Sequence, residues 1–188
     1  RRPVLESRPF YCCMLDFMEI SPEGEDGEKY LLTFICVATR YLFLRACRTR
    51  DSQDCAFVLL DTILDAGVVP VLIQSDNEFS SAIVEELVTL LGGRQLFSTA
   101  LSPKAQAIIE RPHRDIRDGL AVMIAAFARA APRRWPRFVR WLENKHRHKK
   151  LAAGFSSYEV VHGFAGTKTL QSAMVQLEKI PVDLIHAD

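Results

Sequence analysis

Three β-rich runs follow one another before any helical pattern begins: Tyr11 to Ile20, Tyr30 to Ala38 and Tyr41 to Cys47. The polar stretch Ser21 to Lys29 separates the first two, and Thr39-Arg40 separates the last two as a hairpin would. Such a series predicts three consecutive antiparallel strands. The first run carries one acid in its middle, Asp16, where a charge is costly unless it has a partner.

After Cys47 the period changes. Asp51 or Ser52 can cap a helix running to about Ala66, with apolar positions Ala56, Leu59, Leu60, Ile63 and Leu64 and a stop at Gly67. Val69 to Gln74 reads as a short buried strand, Ser80 to Leu91 as a helix, and Arg94 to Ser98 as a fifth strand. A long helix from about Gln106 to Ala130 follows, then a helix from Trp135 to His146, and helical segments over Ser156 to His162 and Thr169 to Ile180. The order β-β-β-α-β-α-β-α-α predicts an α/β fold. It is a mixed five-stranded sheet, order 3-2-1-4-5, flanked by helices, as in the ribonuclease H-like arrangement. Residues 1–9 read as a linker, 10–150 as the core and 151–188 as a helical extension of it.

The 188 residues are 48% hydrophobic and 25% charged, enough for a full core. A net charge of +1 says little about partners, so any nucleic-acid argument rests on where the charges sit. Five cysteines without paired spacing or a C-x-x-C read as reduced core residues, not as a disulfide or zinc framework. No apolar stretch reaches membrane-spanning length, and no apolar segment follows Arg1-Arg2-Pro3 as in a signal peptide. The chain reads as a piece of a longer one. The run Lys145 to Lys150 (KHRHKK) reads as a solvated or DNA-facing helix end.

Two further acids stand where this fold gathers ligands. Asp76 falls just past the fourth strand, and Glu110 lies in the early turns of the long helix. With Asp16 they can reach one edge of the sheet. Three convergent carboxylates suit hard divalent cations, and two such ions suit phosphoryl transfer without a nucleophilic side chain. An Asp after a strand is commonly a turn residue and a helical Glu is commonly solvated. Spacing alone therefore leaves the ordinary reading open.

The neighbouring residues narrow it. The run Ser102-Pro103-Lys104-Ala105-Gln106-Ala107-Ile108-Ile109-Glu110-Arg111-Pro112-His113-Arg114 resembles the integrase signature S/H-P-Q-x-N/Q-G-x-x-E-R-x-H-R. Ser75-Asp76-Asn77-Glu78-Phe79 resembles S-D-N-G-x-x-F, and Leu15-Asp16-Phe17 ahead of Tyr30-Leu31-Leu32 resembles the block of the first catalytic Asp. Phe155 to Gly163 (FSSYEVVHG) resembles the L-S-P-F-E-L-V-Y-G block of gypsy-type elements. Four blocks in order, over about residues 10 to 165, resemble the catalytic core of DDE integrases of retroviruses and LTR retrotransposons.

The resemblance implies a catalytic and metal-binding triad of Asp16, Asp76 and Glu110, holding two Mg2+ (or Mn2+) ions when DNA is bound. It implies DNA contacts from Asn77, Lys104, Gln106, Arg111, His113, Arg114 and Arg117. Arg114 and Arg117, four and seven residues after Glu110, share its helix face, and guanidinium groups suit phosphates. It further implies 3′-end processing and strand transfer of retroelement DNA into target DNA, a homodimer or higher oligomer, no membrane partner, and a nuclear location. The dimer is expected through Leu120 to Ala131 and through Trp135 to Trp141, with both tryptophans exposed before pairing.

Departures from the pattern leave the acids intact. Asp76-Asn77 runs directly into Glu78-Phe79, two residues short of the pattern and without its glycine. Ala107 replaces the glycine three residues before the catalytic Glu and restricts the loop. Two alternatives therefore stand beside an active integrase: a domesticated or decayed integrase acting as a DNA- or protein-binding module, and a DDE transposase or ribonuclease H-like nuclease.

Overall fold

The computed structural model describes residues 8–97, 103–127 and 131–164. Five strands form one sheet: β1 (Cys12–Glu19), β2 (Tyr30–Cys36), β3 (Leu42–Cys47), β4 (Leu72–Ser75) and β5 (Arg94–Phe97). Their order is β3-β2-β1-β4-β5. The β1–β2 and β2–β3 pairs are antiparallel, and the β1–β4 and β4–β5 pairs are parallel. This is the ribonuclease H-like arrangement expected from the element order. The helices are α1 (Ser52–Ala66), α2 (Ala82–Leu90), α3 (Pro103–Phe127), α4 (Val139–His148) and α5 (Ser157–His162). No helix of the described residues is long and apolar enough to cross a membrane.

The central strands are apolar on both sides because both faces of the sheet are covered. Alternation in β1 and β2 sends Cys13, Leu15, Leu32, Phe34 and Cys36 into one core with Leu59, Ile63, Val84 and Val88 from α1 and α2. The opposite face sends Met14, Met18, Leu31 and Ile35 into a second core with Ile109, Ile116 and Leu120 from α3, Trp135, and Leu142 from α4. Asp16 falls between Met14 and Met18, so the period of two aims it at the α3 side. That parity is what places the acid opposite Glu110.

Local chemistry sets the boundaries. Asp51 caps α1 by accepting from the backbone N–H of Gln53 and Asp54, and Gly67 ends it at φ 66°. Ser156 and Glu159 form a reciprocal capping box on α5. Gly119 lets α3 approach α4, since a Cβ there would lie 2.5 Å from Leu142 Cδ2. The strands at 72–75 and 94–97 are shorter than the runs predicted for them.

Two expectations are corrected. Trp135 is fully buried and its Nε1–H donates to the Pro22 carbonyl at 2.9 Å. Neighbouring Arg133 donates to the carbonyls of Glu23 and Gly24. The segment Pro132–Phe138, a 3-10 helix containing two prolines, thus pins the β1–β2 loop and leaves Trp135 no exposed face. The basic run is not a wholly solvated helix end either. Arg147 and His148 are buried. The Arg147 guanidinium stacks 4.3 Å over Tyr41 and 4.4 Å over Phe43, and its Nε donates to the Leu42 carbonyl. The expected helix over Thr169 to Ile180, and most of the 151–188 extension, lie outside the described residues.

Candidate active site

Leu15 of β1 and Ser75 of β4 are paired neighbours in the parallel ladder. Asp16 and Asp76 are the next residues on each chain, so they come side by side at the carboxyl end of β4. Adjacent strands lie about 4.8 Å apart, which makes this proximity a property of the backbone. Glu110 arrives from the far side on α3, two turns after its start at Pro103. All three acids line one depression of about 230 Å³, together with Met14, Leu15, Gln74, Ser75 and Ile109. Glu110 is exposed, and Asp16 and Asp76 are half-buried.

Carboxylate oxygens lining one depression are the donor type a hard divalent cation takes. Among the described residues no three His, Cys, Asp or Glu side chains close into a ready ligand cluster. The acids share a cavity wall without meeting at a point.

Supporting contacts hold the strand ends in place. Asp16 Oδ1 accepts from the Phe17 N–H at 2.8 Å. The Asn77–Phe79 segment is a single 3-10 turn. Phe79, 2% exposed, stacks on Phe17 with ring centres 4.9 Å apart. Gln95 of β5 donates to Ser75 Oγ at 3.0 Å and to the Phe79 carbonyl at 3.1 Å. The shortened turn after Asp76 therefore still seats its phenylalanine in the core.

The residues expected near DNA divide into groups. Arg111, Arg114 and Arg117 are exposed on α3, and Asn77 is exposed beside Asp76. Lys104 and Gln106 occupy the first turns of α3, with side chains outside the described residues. His113 turns inward: Nε2 lies 3.0 Å from Thr33 Oγ1 and Nδ1 lies 3.8 Å from Asp16 Oδ2. Burial, with a smaller push from Arg117, lowers its pKa to about 4, so the ring is neutral at neutral pH. Thr33 and Gln95 do not stand out as site residues in the sequence. Thr33 carries a signal there, being a lone polar residue within Leu31 to Cys36. Gln95 carries none.

A ribonuclease H-like sheet with acids along one edge defines a broad class, and comparison with known proteins narrows it. The chain is 34% identical over 104 residues to a transposon-derived protein of Caenorhabditis elegans, covering 53% of this chain and 35% of that protein. It is 25% identical over 158 residues to the Gag-Pol polyprotein of koala retrovirus, covering 83% of this chain and 9% of the polyprotein. It is 22% identical over 171 residues to the human KRAB-A domain-containing protein 2, covering 89% of this chain and 34% of that protein. No family model matches the chain. The chain thus spans about a third or less of the length of these relatives. At low identity, it is related to transposon-derived and retroviral Pol proteins.

Proposed function

We propose that this domain is the catalytic core of a DDE-type integrase. It carries out 3′-end processing of retroelement DNA and transfers the processed ends into target DNA. One observation carries the reading: Asp16, Asp76 and Glu110, picked from three separate sequence blocks, line the same depression. The Pol polyprotein relatives support it. In strand transfer a DNA 3′-hydroxyl oxygen attacks a target phosphorus, a new P–O bond forms, and the bond to the departing 3′ oxygen breaks. Two Mg2+ or Mn2+ ions held by the three carboxylates would activate the attacking oxygen and stabilise the leaving one. The chain's own part is positional. The β1–β4 ladder holds two acids together, α3 carries the third, and Arg111, Arg114 and Arg117 offer guanidinium groups to phosphates. The partners are element DNA ends, target DNA and further copies of the chain in a dimer or higher oligomer.

A second reading, a domesticated module that binds DNA or protein, is favoured by three observations. These are the shortened turn after Asp76, Ala107 in place of glycine, and the similarity to the human KRAB-A domain-containing protein. A strand-transfer assay with Mg2+ and with Mn2+ separates the two. Wild type joins DNA ends to target, whereas Asp76→Asn loses on the order of 100-fold or more in rate yet still binds DNA. Strand transfer unchanged in Asp76→Asn rules out the triad. Binding without transfer in wild type, with either metal, selects the module.

A further inference from the structure

His113 stands where two of the acids could be held in register. It follows Glu110 by three residues and so shares its helix face. Across the β1–β2 ladder, Thr33 is the direct partner of Asp16. The imidazole lies over that pair: Nε2 is 3.0 Å from Thr33 Oγ1 and Nδ1 is 3.8 Å from Asp16 Oδ2. The His113 side chain is 12% exposed and Thr33 is fully buried, so the ring has little freedom to swing outward.

Hydrogen-bonding capacity orders the protons. At 3.8 Å the Nδ1–Oδ2 approach is longer than a hydrogen bond, but an ionised Asp16 only accepts, so an Nδ1–H facing it is the favoured arrangement. Nε2 is then the acceptor, and the Thr33 hydroxyl donates to it. The other carboxylate oxygen of Asp16 already accepts from the Phe17 N–H at 2.8 Å. Oδ1 of Asp16 is thus held by its own strand, and Oδ2 faces a ring that Thr33 fixes on α3. For His113 to reach a phosphate, the ring would have to leave this pocket and strand the Thr33 hydroxyl.

We infer that His113 is a positioning residue of the acidic site: anchored by Thr33, it presents an N–H toward the Asp16 carboxylate from the helix that carries Glu110 and sets where that carboxylate sits when a cation is bound. The inference rests on the active-site reading above. Partners that orient a metal ligand are commonly worth about 10- to 100-fold in metal affinity or activity. Asn is the conservative replacement, because its amide nitrogen stands near the place of Nδ1 and can donate to Asp16.

The test uses the whole chain and Mn2+ as the probe, with binding followed by electron paramagnetic resonance. DNA binding is measured separately in EDTA, and folding by circular dichroism. His113→Ala is expected to weaken Mn2+ binding about tenfold or more and leave metal-free DNA binding unchanged. His113→Asn, which keeps the donor near Nδ1 but loses the Thr33 contact, is expected to bind Mn2+ more tightly than His113→Ala and more weakly than wild type. Thr33→Val, which keeps shape and removes the hydroxyl, is expected to lose part of the affinity and gives the reading if His113→Ala fails to fold. Unchanged Mn2+ affinity in both His113→Ala and Thr33→Val overturns the inference. So does weaker DNA binding in EDTA, or equal loss in the Ala and Asn variants, which would mark packing alone. If wild type binds Mn2+ no better than Asp16→Asn, the active-site reading falls and this inference with it.

Discussion

Two regions of this domain gather charge, and they treat it in opposite ways. On the α4 side, Glu143 is fully buried yet surrounded by donors. It accepts from the Leu44 N–H at 2.7 Å, Arg45 at 2.9 Å and Arg140 at 3.1 Å, and it forms an ion pair with Arg147 at 2.9 Å. Arg45 also pairs with Asp65 on α1. At the sheet edge, by contrast, three carboxylates line one open depression. A closed ionic network is a structural device, since desolvating its charges is offset within the protein. Like charges around a cavity are destabilising unless a cation joins them. The difference separates a charge cluster closed within the protein from one that faces a cavity.

Charge-neutralising isosteres test the contrast most sharply. Glu143→Gln leaves Arg147 buried without its counter-ion, and should cost about 3–5 kcal/mol in urea unfolding. Asp76→Asn should leave unfolding stability unchanged or slightly raised, because it relieves repulsion. Equal losses in the two variants would erase the distinction between the clusters.

A smaller effect sharpens the α4 side. His146 is held at a pKa of about 4 by burial, with Arg147 and Lys149 lowering it further and Asp115 opposing them. Its Nδ1 is buried without a hydrogen-bond partner. The unfolded chain takes up the proton near its ordinary pKa of about 6.5, while the folded state resists until about 4. Stability is therefore full above about 6.5 and declines as pH falls through that window. The loss by pH 4.5 should be about 2 kcal/mol, allowing for partial exposure. His146→Gln should remove roughly half of this slope in the urea-midpoint profile, because His113, lowered to about 4 by burial as well, titrates over the same window. A wild-type profile that is flat between pH 7 and 4.5 would contradict the burial argument.

The smallest effect concerns the exposed cations of α3. Arg114→Ala with Arg117→Ala should weaken DNA binding and lower the salt slope by about 0.9 for each phosphate that is no longer neutralised. Mn2+ binding should stay intact. An unchanged slope in the double variant would remove these arginines from the DNA surface.

Much of this molecule could be read along the chain. The strand order followed from three β-rich runs and two later crossovers, because connection rules leave few topologies for that series. Asp16, Asp76 and Glu110 could each be placed on an element, since strand parity and helix start are local properties. The tryptophans, the basic run and His113 could not be read this way. Trp135 looks like an interface residue in sequence, and only the packing of Pro132–Phe138 against the β1–β2 loop buries it. Arg147 and His148 look like solvated charge within KHRHKK, until α4 docks on β3 and gives Arg147 the Leu42 carbonyl, Glu143 and two aromatic faces. His113 reads as a DNA contact from its motif, and only the packing of α3 over β1 shows its ring turned toward Thr33 and Asp16. Sequence by itself determined the element order, the sheet and which acids could converge, because these depend on period and chain connectivity. Only the tertiary structure decided which charged and aromatic side chains face inward, because that depends on partners distant in sequence meeting across packed elements.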